Sequence, residues 1–551
     1  RTLLDFARHW ESARADRCWL TQPLGGGRVE TWTWKRAMEE TRRMAAHLAS
    51  LGLPPRSSIA LCSKNCAWWL MADLAIWMAG HVSVPVYPIL PAETVRQILE
   101  QSQARLLFVG KLDPVWEEMR GGVPAGLPQI AFPLSPASGA PGWNDIGARQ
   151  APLAGFAPRA PEEVATLVYT SGSTGRPKGA MVSFGAIAAV AAELSSFLRA
   201  APSDRAISYL PLAHVFERAY VEAVAIHAGV ELFFAESLDT FLEDLRRARP
   251  TLFISVPRLW LKFQAGVFQK VPPAKLERLL KVPVLSTLVK RKILRQLGLD
   301  RVRFAGSGAA PIPADVIAWY RRLGLELLEG YAMTENFAYS HISQPGHVRP
   351  GYVGAPMPGV ECRLGEGGEV LVKSPGMMLG YFRDPAATAE AFTRDGFLRT
   401  GDLGSLDAEG RLAIAGRVKE LFKTSKGKYV APAPIENRIL SHRGVEQCCV
   451  CGSGYPQPHA VVVLSEDARR RLAEAGKPAL EQELLEHLDG VNRDLPGFEQ
   501  LEFLAVVDDL WGPENGFLTP TLKVRRARIE SAYAPLAQRW YDEKKPVVWK
   551  S

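Results

Sequence analysis

The sequence has few cysteines for its length and no long run of apolar residues. Its 551 residues include seven cysteines, and an odd, low count in a long chain favours reduced thiols in the cytoplasm over a disulfide framework. The most apolar stretch, AWWLMADLAIWMAGHVSVPV, is interrupted by Asp73 and His81. It therefore predicts a buried helix followed by a buried strand, and no membrane span. The pattern of a secretory signal peptide is not visible, and Arg1 is not taken as the native start.

The sequence also lacks the ligand spacing of a zinc site and the spread positive charge of a nucleic-acid binder. Cys448, Cys449 and Cys451 lie together in QCCVCG, but no second cysteine pair stands at zinc-ribbon spacing, so this segment predicts a strand. Residues 270–303 hold ten cations and two acids, which accounts for the whole net charge of +8. Because the rest of the chain is neutral, we expect no nucleic-acid partner.

Apolar strand-like runs alternate with amphipathic helical stretches through most of the chain. SSIALCS precedes AWWLMADLAIWMAG, and VATLVYT precedes SFGAIAAVAAELSSFLRA. Continuous apolar strands between helices predict an α/β fold with doubly wound, mostly parallel sheets. From about residue 350, glycine, proline and short strands replace this alternation, and a smaller, more charged segment begins near 416–420. A chain of this length needs two or more domains.

One loop stands out, YTSGSTGRPKGA at residues 169–180. A loop that leaves a parallel strand and enters a helix can hold an anion with its backbone N–H groups, and hydroxyls and a lysine strengthen such a site. It is not a Walker loop, because Lys178 follows Pro177 and precedes Gly179. Composition alone leaves an ordinary flexible loop as the alternative. The candidate phosphate-binding residues are Thr170, Ser171, Gly172, Ser173, Thr174, Gly175 and Lys178.

The order of the residues resembles the adenylate-forming enzymes, a superfamily of acyl-CoA synthetases, luciferases and peptide-synthetase adenylation domains. The stretch LVYTSGSTGRPKGAMVS resembles their phosphate loop. Further similar segments follow in the family's order: FAGSGAAP (304–311), EGYAMTEN (329–336), RTGDLG (399–404), GRVKELFKTSKGKYVAP (416–432) and NGFLTPTLKVRR (515–526). The resemblance covers nearly the whole chain. The motif sequences are most similar to those of the long-chain fatty acyl-CoA synthetase branch.

The resemblance implies a large N-terminal domain at residues 1–416, with a small β-barrel-like subdomain added to its doubly wound sheets. A hinge at 417–419 and a mobile α+β C-terminal domain at 420–551 would follow. The implied reaction joins a carboxylate to ATP, giving acyl-adenylate and pyrophosphate, and a thiol then displaces AMP. The implied cofactors and co-substrates are ATP, Mg²⁺ and coenzyme A.

The resemblance also implies a role for each motif residue in ATP binding. Asp402 and Arg417 would hold the ribose, Tyr331 beside Gly330 would stack on adenine, and the backbone at Gly308 and Ala309 would line the adenine pocket. Core packing is the alternative for Tyr331.

Four residues are the candidates for catalysis. Lys523, on the small domain, would bridge the substrate carboxylate and the α-phosphate. Glu335 would bind magnesium, and Thr334 beside it would donate to the α-phosphate. His214, in YLPLAHVFER, would contact the substrate or shape its entrance. A satisfied structural histidine is the alternative.

Lys419 occupies the hinge position of the resembled motif, and the following loop would border the thiol-acceptor tunnel. That loop contains Lys426, Gly427 and Lys428, and its sequence TSKGK departs from the common TSGGK through Lys426. The departure leaves the second half-reaction less well specified than the first.

The expected function is an ATP-dependent long-chain fatty acid–CoA ligase. Amino-acid-activating relatives need an aspartate near the carboxylate site, and Ala213 and His214 stand there instead. The alternatives are a fatty acyl-AMP ligase that loads a carrier protein and, in another class, a non-catalytic lipid- or nucleic-acid-binding protein on a degenerate ligase fold. The basic segment 270–303 suggests peripheral contact with an anionic membrane, on the cytoplasmic face. A solvated helix pair is the alternative for this segment.

Overall fold

The structure is a computed structural model that describes residues 1–171, 176–519 and 523–550, and of Ser171 only the backbone. The predicted phosphate-loop residues Gly172, Ser173, Thr174 and Gly175 lie outside these ranges, as does the side chain of Ser171. None of the helices in these ranges has the length and apolar character that crossing a bilayer requires.

Alternating helices and strands form the first part of the chain. In order they are α1 (Leu3–Ala13), β1 (Cys18–Gly25), β2 (Arg28–Thr33), α2 (Trp34–Ser50), β3 (Ser58–Cys62), α3 (Ala67–Met78), β4 (Val82–Val86), α4 (Ala92–Gln101), β5 (Leu106–Val109), α5 (Trp116–Met119), β6 (Gln129–Ala131), α6 (Trp143–Arg149), β7 (Val164–Ser171), β8 (Pro177–Ser183) and α7 (Phe184–Leu198).

Helices and strands continue to alternate as far as residue 356. The elements are β9 (Arg205–Ser208), α8 (Val215–Glu217), α9 (Val224–Ala228), β10 (Glu231–Phe234), α10 (Phe241–Ala248), β11 (Leu252–Ser255), α11 (Pro257–Lys270), α12 (Pro273–Leu280), α13 (Pro283–Gln296), β12 (Phe304–Ser307), α14 (Ala314–Leu323), β13 (Leu327–Tyr331), β14 (His341–Ile342) and β15 (Ala355–Pro356). A π-helical turn, Arg218–Ala223, connects α8 to α9.

Three sheets contain the parallel strands that the apolar runs predict. Their strand orders are β6-β5-β3-β4-β7-β8, β2-β1-β10-β9 and β11-β12-β13-β14-β15. Antiparallel pairing is confined to β1–β2, β7–β8 and β13–β14–β15 in these three sheets. The α/β prediction with mostly parallel sheets is therefore confirmed.

Short strands then form a fourth sheet, in the part of the chain expected to be barrel-like. The elements are β16 (Glu361–Leu364), β17 (Glu369–Lys373), α15 (Pro385–Ala391), β18 (Leu398–Leu406) and β19 (Leu412–Arg417). All pairings are antiparallel in the linear order β16-β17-β18-β19, so these strands form an open sheet and not a closed barrel.

The C-terminal part has its own sheet and its own apolar core. Its elements are β20 (Phe422–Lys423), β21 (Tyr429–Val430), α16 (Pro432–Ile439), β22 (Val445–Cys451), β23 (His459–Leu464), α17 (Glu466–Ala475), α18 (Lys477–Arg493), β24 (Leu504–Val507), α19 (Arg526–Glu543) and β25 (Val547–Trp549). The sheet order is β22-β23-β24-β25. Helices and strands pack on both faces of this sheet in two apolar clusters, as an α+β domain requires.

The apolar stretch that was weighed as a membrane span is a core helix. Every residue of α3 is buried, including Asp73. The Arg218 guanidinium donates to the Asp73 carboxylate at 2.6 Å, and Arg218 is itself 1% exposed. A buried charge needs such a partner. The cysteine cluster is likewise the buried strand β22, and no group of metal-binding side chains occurs among the described residues.

Candidate active site

Asp402 and Arg417 face each other across the antiparallel strands β18 and β19. The Arg417 Nε lies 3.0 Å from Asp402 Oδ1, and the Tyr331 hydroxyl donates to Asp402 Oδ2 at 2.6 Å. Two carboxylate oxygens offer about four lone-pair sites, so Asp402 retains acceptor capacity beyond these two contacts. The arrangement can accept hydrogen bonds from a vicinal diol such as a ribose.

Tyr331 thus has a specific polar contact as well as packing. It ends β13, whose neighbouring strands are β12 and β14. Burial, and then the negative charge of Asp402, raise the pKa of the Tyr331 hydroxyl well above its usual value. The hydroxyl therefore stays protonated and donates. The structure places Tyr331 beside Asp402, and the expected stacking on adenine remains a prediction.

The predicted phosphate lysine and the predicted magnesium carboxylate meet at a residue that the sequence did not single out. The Lys178 ammonium lies over the Tyr381 ring, 5.3 Å from its centroid. The Tyr381 hydroxyl donates to Glu335 Oε1 at 2.7 Å. Backbone hydrogen bonds between residues 379–382 and β8 hold Tyr381 in this place. Lys178 and Glu335 are therefore parts of one site.

The loop at residues 169–180 does not lead from a strand into a helix as expected. Instead, β7 pairs antiparallel with β8, with Thr170 opposite Lys178 and Ser171 opposite Pro177. The segment PKGAMVS is intermediate or buried along its length and also bonds to residues 379–382, which favours an extended chain here. Helix α7 begins only at Phe184, with Ser183 as its N-cap. Thr170 and Lys178 lie at the hairpin end of these strands.

The predicted adenine turn follows β12 and packs against an aromatic ring. A Cβ on Gly308 would lie 3.1 Å from Phe216 Cζ, so a larger residue would push the ring away. Ala309 has a φ of +68°, an uncommon value for a residue with a side chain. Strained backbone of this kind often marks a functional site. Gly330 lies on the neighbouring strand, β13.

Thr334 and Glu335 lie in a tight turn that immediately follows β13. The residues Thr334–Asn336 form a 3₁₀ turn, and the Met333 N–H donates to Asn336 Oδ1 at 3.0 Å. Phe337 and Ala338 then adopt φ values of +48° and +57°. The turn presents Glu335 to the Tyr381 hydroxyl, and the expected role of Glu335 in binding magnesium remains a prediction.

Lys523 of the C-terminal part lies among these groups. Its side chain is solvent-accessible, yet surrounding protein atoms lower the pKa of its ammonium group, and the positive charge of Arg417 lowers it further. The carboxylates of Asp402, Glu420 and Glu335 oppose that shift. Because charge effects weaken with distance, Lys523 lies in the neighbourhood of Arg417, Asp402 and Glu335, which the sequence predicts to bind ATP or magnesium.

His214 belongs to the same site. Burial, and then the charge of Lys523, lower the pKa of His214 to about 3, so the imidazole is neutral near neutral pH. The Phe216 N–H donates to His214 Nδ1 at 3.1 Å, which leaves the ring proton on Nε2. His214 can therefore donate one hydrogen bond to a carboxylate without bringing a charge of its own. The same hydrogen bond caps the short helix α8, so His214 also has the structural role that was considered as the alternative.

A buried polar network fixes the loop that carries His214, and sequence reasoning missed it. Glu217 Oε1 accepts from the Tyr209 N–H at 3.0 Å and from Asn65 Nδ2 at 3.3 Å. Asn65 also accepts from the Leu212 N–H at 3.1 Å and donates to the Leu210 carbonyl at 2.6 Å. Asn65 and Glu217 thus position the loop from both ends.

Glu217 gives a testable pH dependence of stability. Burial raises its pKa from 4.5 to about 8, so the folded state holds a proton that the unfolded state releases above pH 4.5. Stability contributed by that proton is lost as the pH rises from about 5 to 8. Relative to Glu217→Gln, the thermal midpoint of the wild-type chain should fall by about 2–5 °C over this interval. Calorimetry at several pH values measures the difference.

The exposed Glu474 supplies the control for this test. Glu474→Gln should follow the wild-type midpoint at every pH. Parallel curves for Glu217→Gln and the wild type would contradict a protonated Glu217.

The predicted hinge and thiol-tunnel residues lie between the end of β19 and the start of β21, at the beginning of the C-terminal part. Lys419 is in a 3₁₀ turn, Val418–Glu420, directly after β19. Gly427, with a φ of +77°, and its two lysine neighbours form the connection between β20 and β21. Lys426 Nζ donates to Gln457 Oε1 at 3.2 Å, while Lys428 is exposed. The roles of these residues remain predictions.

The chain matches two protein families over most of its length. Residues 6–382 match the family described as AMP-binding enzyme, and residues 420–545 match the family described as AMP-binding enzyme C-terminal domain. The first match alone covers more than half of the chain.

Its curated relatives include bacterial, plant and human proteins. The Mycobacterium bovis long-chain-fatty-acid–CoA ligase FadD15 is 31% identical, over 93% of this chain and 92% of the relative. The Arabidopsis thaliana peroxisomal long chain acyl-CoA synthetase 6 is 31% identical, over 94% and 82%. The Homo sapiens long-chain-fatty-acid–CoA ligase 1 is 30% identical, over 92% and 81%.

The fold is also that of solved ligase structures. The anthranilate CoA ligase AuaEII in complex with anthranoyl-AMP superposes with a TM-score of 0.81 at 22% identity, covering 98% of each chain. The Bacillus subtilis O-succinylbenzoate coenzyme A synthetase in complex with AMP gives a TM-score of 0.74 at 22% identity, covering 95% of this chain and 98% of the other. The chain therefore belongs to the AMP-binding, adenylate-forming enzymes, on the long-chain acyl-CoA synthetase branch.

Proposed function

We propose that this acyl-CoA synthetase is an ATP-dependent long-chain fatty acid–CoA ligase. The observation that carries the proposal is the position of Lys523, which is close enough to Asp402, Arg417 and Glu335 for their charges to act on its pKa. In the proposed enzyme, Lys523 would bring a cation from the C-terminal part to the residues that would bind the nucleotide. The implied division at residues 416–420 is part of this proposal.

In the first half-reaction, the fatty acid carboxylate attacks the α-phosphorus of ATP and pyrophosphate leaves. Two anions must approach each other, so the site has to supply positive charge and hydrogen-bond donors. Lys523 would contact the carboxylate and the α-phosphate, and Thr334 would donate to that phosphate. His214 would orient the carboxylate with its Nε2–H. Lys178 and Thr170, with the loop between β7 and β8, would hold the other phosphates.

Asp402 and Arg417 would fix the ribose, and the backbone from Gly308 to Ala309 would border the adenine. Tyr331 would contribute its ring to this pocket while its hydroxyl holds Asp402 in place. Fixing the nucleotide in this way reduces the entropy cost of bringing the α-phosphorus to the carboxylate.

Magnesium fits the donor set of the site. Glu335 offers a carboxylate that shares its contact with Tyr381 with Lys178, the lysine proposed to bind phosphate. Mg²⁺ is often held by one carboxylate together with substrate phosphates. When bound, it would neutralise phosphate charge, and Tyr381 would keep Glu335 oriented.

In the second half-reaction, the coenzyme A thiol displaces AMP from the acyl-adenylate. We propose that the C-terminal domain turns about Lys419 between the two steps. The connection that contains Lys426, Gly427 and Lys428 would then border the path of the thiol. Lys426 and Lys428 are cations that can meet phosphate groups of coenzyme A.

The loop beside the carboxylate site supports a fatty acid as substrate. Leu212 and Ala213 are buried there, and Phe216 packs against Gly308. The buried carboxyl of this loop, Glu217, has a pKa raised to about 8 and is engaged by Asn65, so it is not poised to bind a substrate ammonium. The names of the relatives also point to long-chain fatty acids. A cytoplasmic enzyme that meets the membrane surface is consistent with such a substrate.

The test is palmitate-dependent ATP–pyrophosphate exchange, measured with and without coenzyme A. We expect exchange without coenzyme A and palmitoyl-CoA with it. A series of fatty acids of graded length, scored by AMP release, should give its highest rates with long chains. Exchange without any thioester product would favour an acyl-AMP ligase. Absence of exchange with every fatty acid would overturn the proposal in favour of a binding protein.

A further inference from the structure

Helix α13 and the connection before it present a group of apolar side chains to solvent. Val284 is 77% exposed, Leu288 61% and Val282 52%, and Leu285 is also exposed. On a helix, residues four apart share a face, so Val284 and Leu288 are neighbours. Single exposed apolar residues are ordinary, but a contiguous group of them marks an interaction surface.

Cations continue the same face of α13 toward its C-terminal end. Arg291 and Arg295 lie three and seven positions beyond Leu288, and both are exposed, as are the adjacent Lys292 and the preceding Lys281. The sequence contains no aspartate or glutamate between Arg278 and Leu299. The nearest acid, Glu277, pairs with Arg322 at 3.5 Å. We call the exposed residues from Lys281 to Arg295 the basic–apolar face.

The opposite side of these helices supplies the contacts that hold them to the protein. Leu276 of α12 and Ile293 of α13 are buried in the cluster that includes Trp260 and Trp319. Proline begins both helices, at Pro273 and Pro283, as is favourable at a first helical position. The basic–apolar face is therefore not needed to anchor the helices, and its composition calls for another explanation.

We propose that the basic–apolar face docks the protein on the surface of an anionic lipid bilayer. Its cations would attract the phosphate headgroups, and its valine and leucine side chains would enter the boundary between headgroups and acyl chains. The face exposes Lys281, Arg291, Lys292 and Arg295 with no acid among them, within the segment 270–303 whose charge equals the whole net charge of +8, so charge complementarity points to an anionic partner. The inference deepens the proposed function, because long-chain fatty acids partition into bilayers, but its test does not require catalysis.

The experiment is co-sedimentation of the full chain with vesicles of phosphatidylcholine alone or of phosphatidylcholine with phosphatidylglycerol. At low salt we expect binding to the anionic vesicles to be about tenfold tighter or more, and added salt should reduce it. The double variant Val284→Asp/Leu288→Asp and the triple variant Arg291→Gln/Lys292→Gln/Arg295→Gln should each weaken binding by about tenfold or more.

Leu238→Asp is the matched control, since Leu238 is 93% exposed and lies outside the face. It should bind vesicles like the wild type. All variants should keep the ligase activity of the wild type on fatty acid dispersed in neutral detergent, which separates this inference from the proposed function. Equal binding to both kinds of vesicle, or anionic binding that survives both multiple variants, would overturn it. So would variants that change only the oligomeric state, because the face would then join protein copies.

Discussion

Lys523→Ala is expected to lower the rate of palmitate-dependent ATP–pyrophosphate exchange by about 100- to 1000-fold, while ATP still binds. The reason is that the site would lose the cation between two reacting anions, whereas Lys178, Asp402 and Arg417 would remain to hold the nucleotide. Pre-steady-state formation of the acyl-adenylate measures the step directly. The same variant should still convert synthetic palmitoyl-adenylate and coenzyme A to palmitoyl-CoA at close to the wild-type rate.

The lowered pKa of Lys523 adds a pH dependence to this prediction. The ammonium form is the active one, so kcat/KM for adenylation should decline on the alkaline side at a pH below the ordinary lysine value of 10.5. The exposed Lys545, on the same domain, is the control, and Lys545→Ala should exchange pyrophosphate normally. Near-normal exchange in Lys523→Ala would contradict the role assigned to Lys523.

Asp402→Ala is expected to lower kcat/KM for ATP by about 100-fold, equivalent to about 3 kcal/mol. Asp402 is 5% exposed and engages both Arg417 and Tyr331. Removing it would delete the ribose acceptor and would also leave a guanidinium and a hydroxyl without their partner. The effect should appear mainly as a raised KM for ATP, with the KM for fatty acid nearly unchanged.

Two further variants separate ribose binding from general damage. Tyr331→Phe removes only the hydroxyl that donates to Asp402 and should cost about tenfold or less. Asp395→Ala removes an aspartate next to the same sheet that is exposed and pairs with Arg363, and it should leave the KM for ATP unchanged. A correctly folded Asp402→Ala or Asp402→Asn enzyme with the wild-type KM for ATP would refute ribose binding by Asp402.

The sequence predicted the parts of the site that are local in the chain. Apolar runs between helical stretches predicted the parallel sheets, because a strand buried on both faces must be apolar along its length. The short motifs predicted Asp402, Arg417, Glu335 and Lys523, and the structure brings these residues together. Asp402 lies within β18, Arg417 ends β19 and Glu335 lies in a 3₁₀ turn, so each of these motifs is a short segment whose residues are close in sequence and in space.

Contacts between residues far apart in the chain could not be predicted from local sequence patterns. Tyr381 lies 46 residues from Glu335, and Asn65 lies 152 residues from Glu217. No periodicity or spacing marks such a pair, because the fold alone brings it together. The hairpin of β7 and β8 was missed for a related reason, since β8 is stabilised by residues 379–382 as well as by β7. Turn-rich composition suggested a loop entering a helix, and tertiary pairing favoured a strand.

The most direct test of the central claim is a crystal structure of the full chain with a hydrolysis-resistant analogue of palmitoyl-adenylate. The account predicts that Lys523 Nζ lies within about 3 Å of an oxygen of the acyl–phosphate linkage or its substitute. It also predicts that Asp402 accepts from the ribose hydroxyls. The account would be contradicted by an analogue bound in the same pocket with Lys523 Nζ beyond direct contact, more than about 6 Å away, in every orientation of the C-terminal domain that is observed.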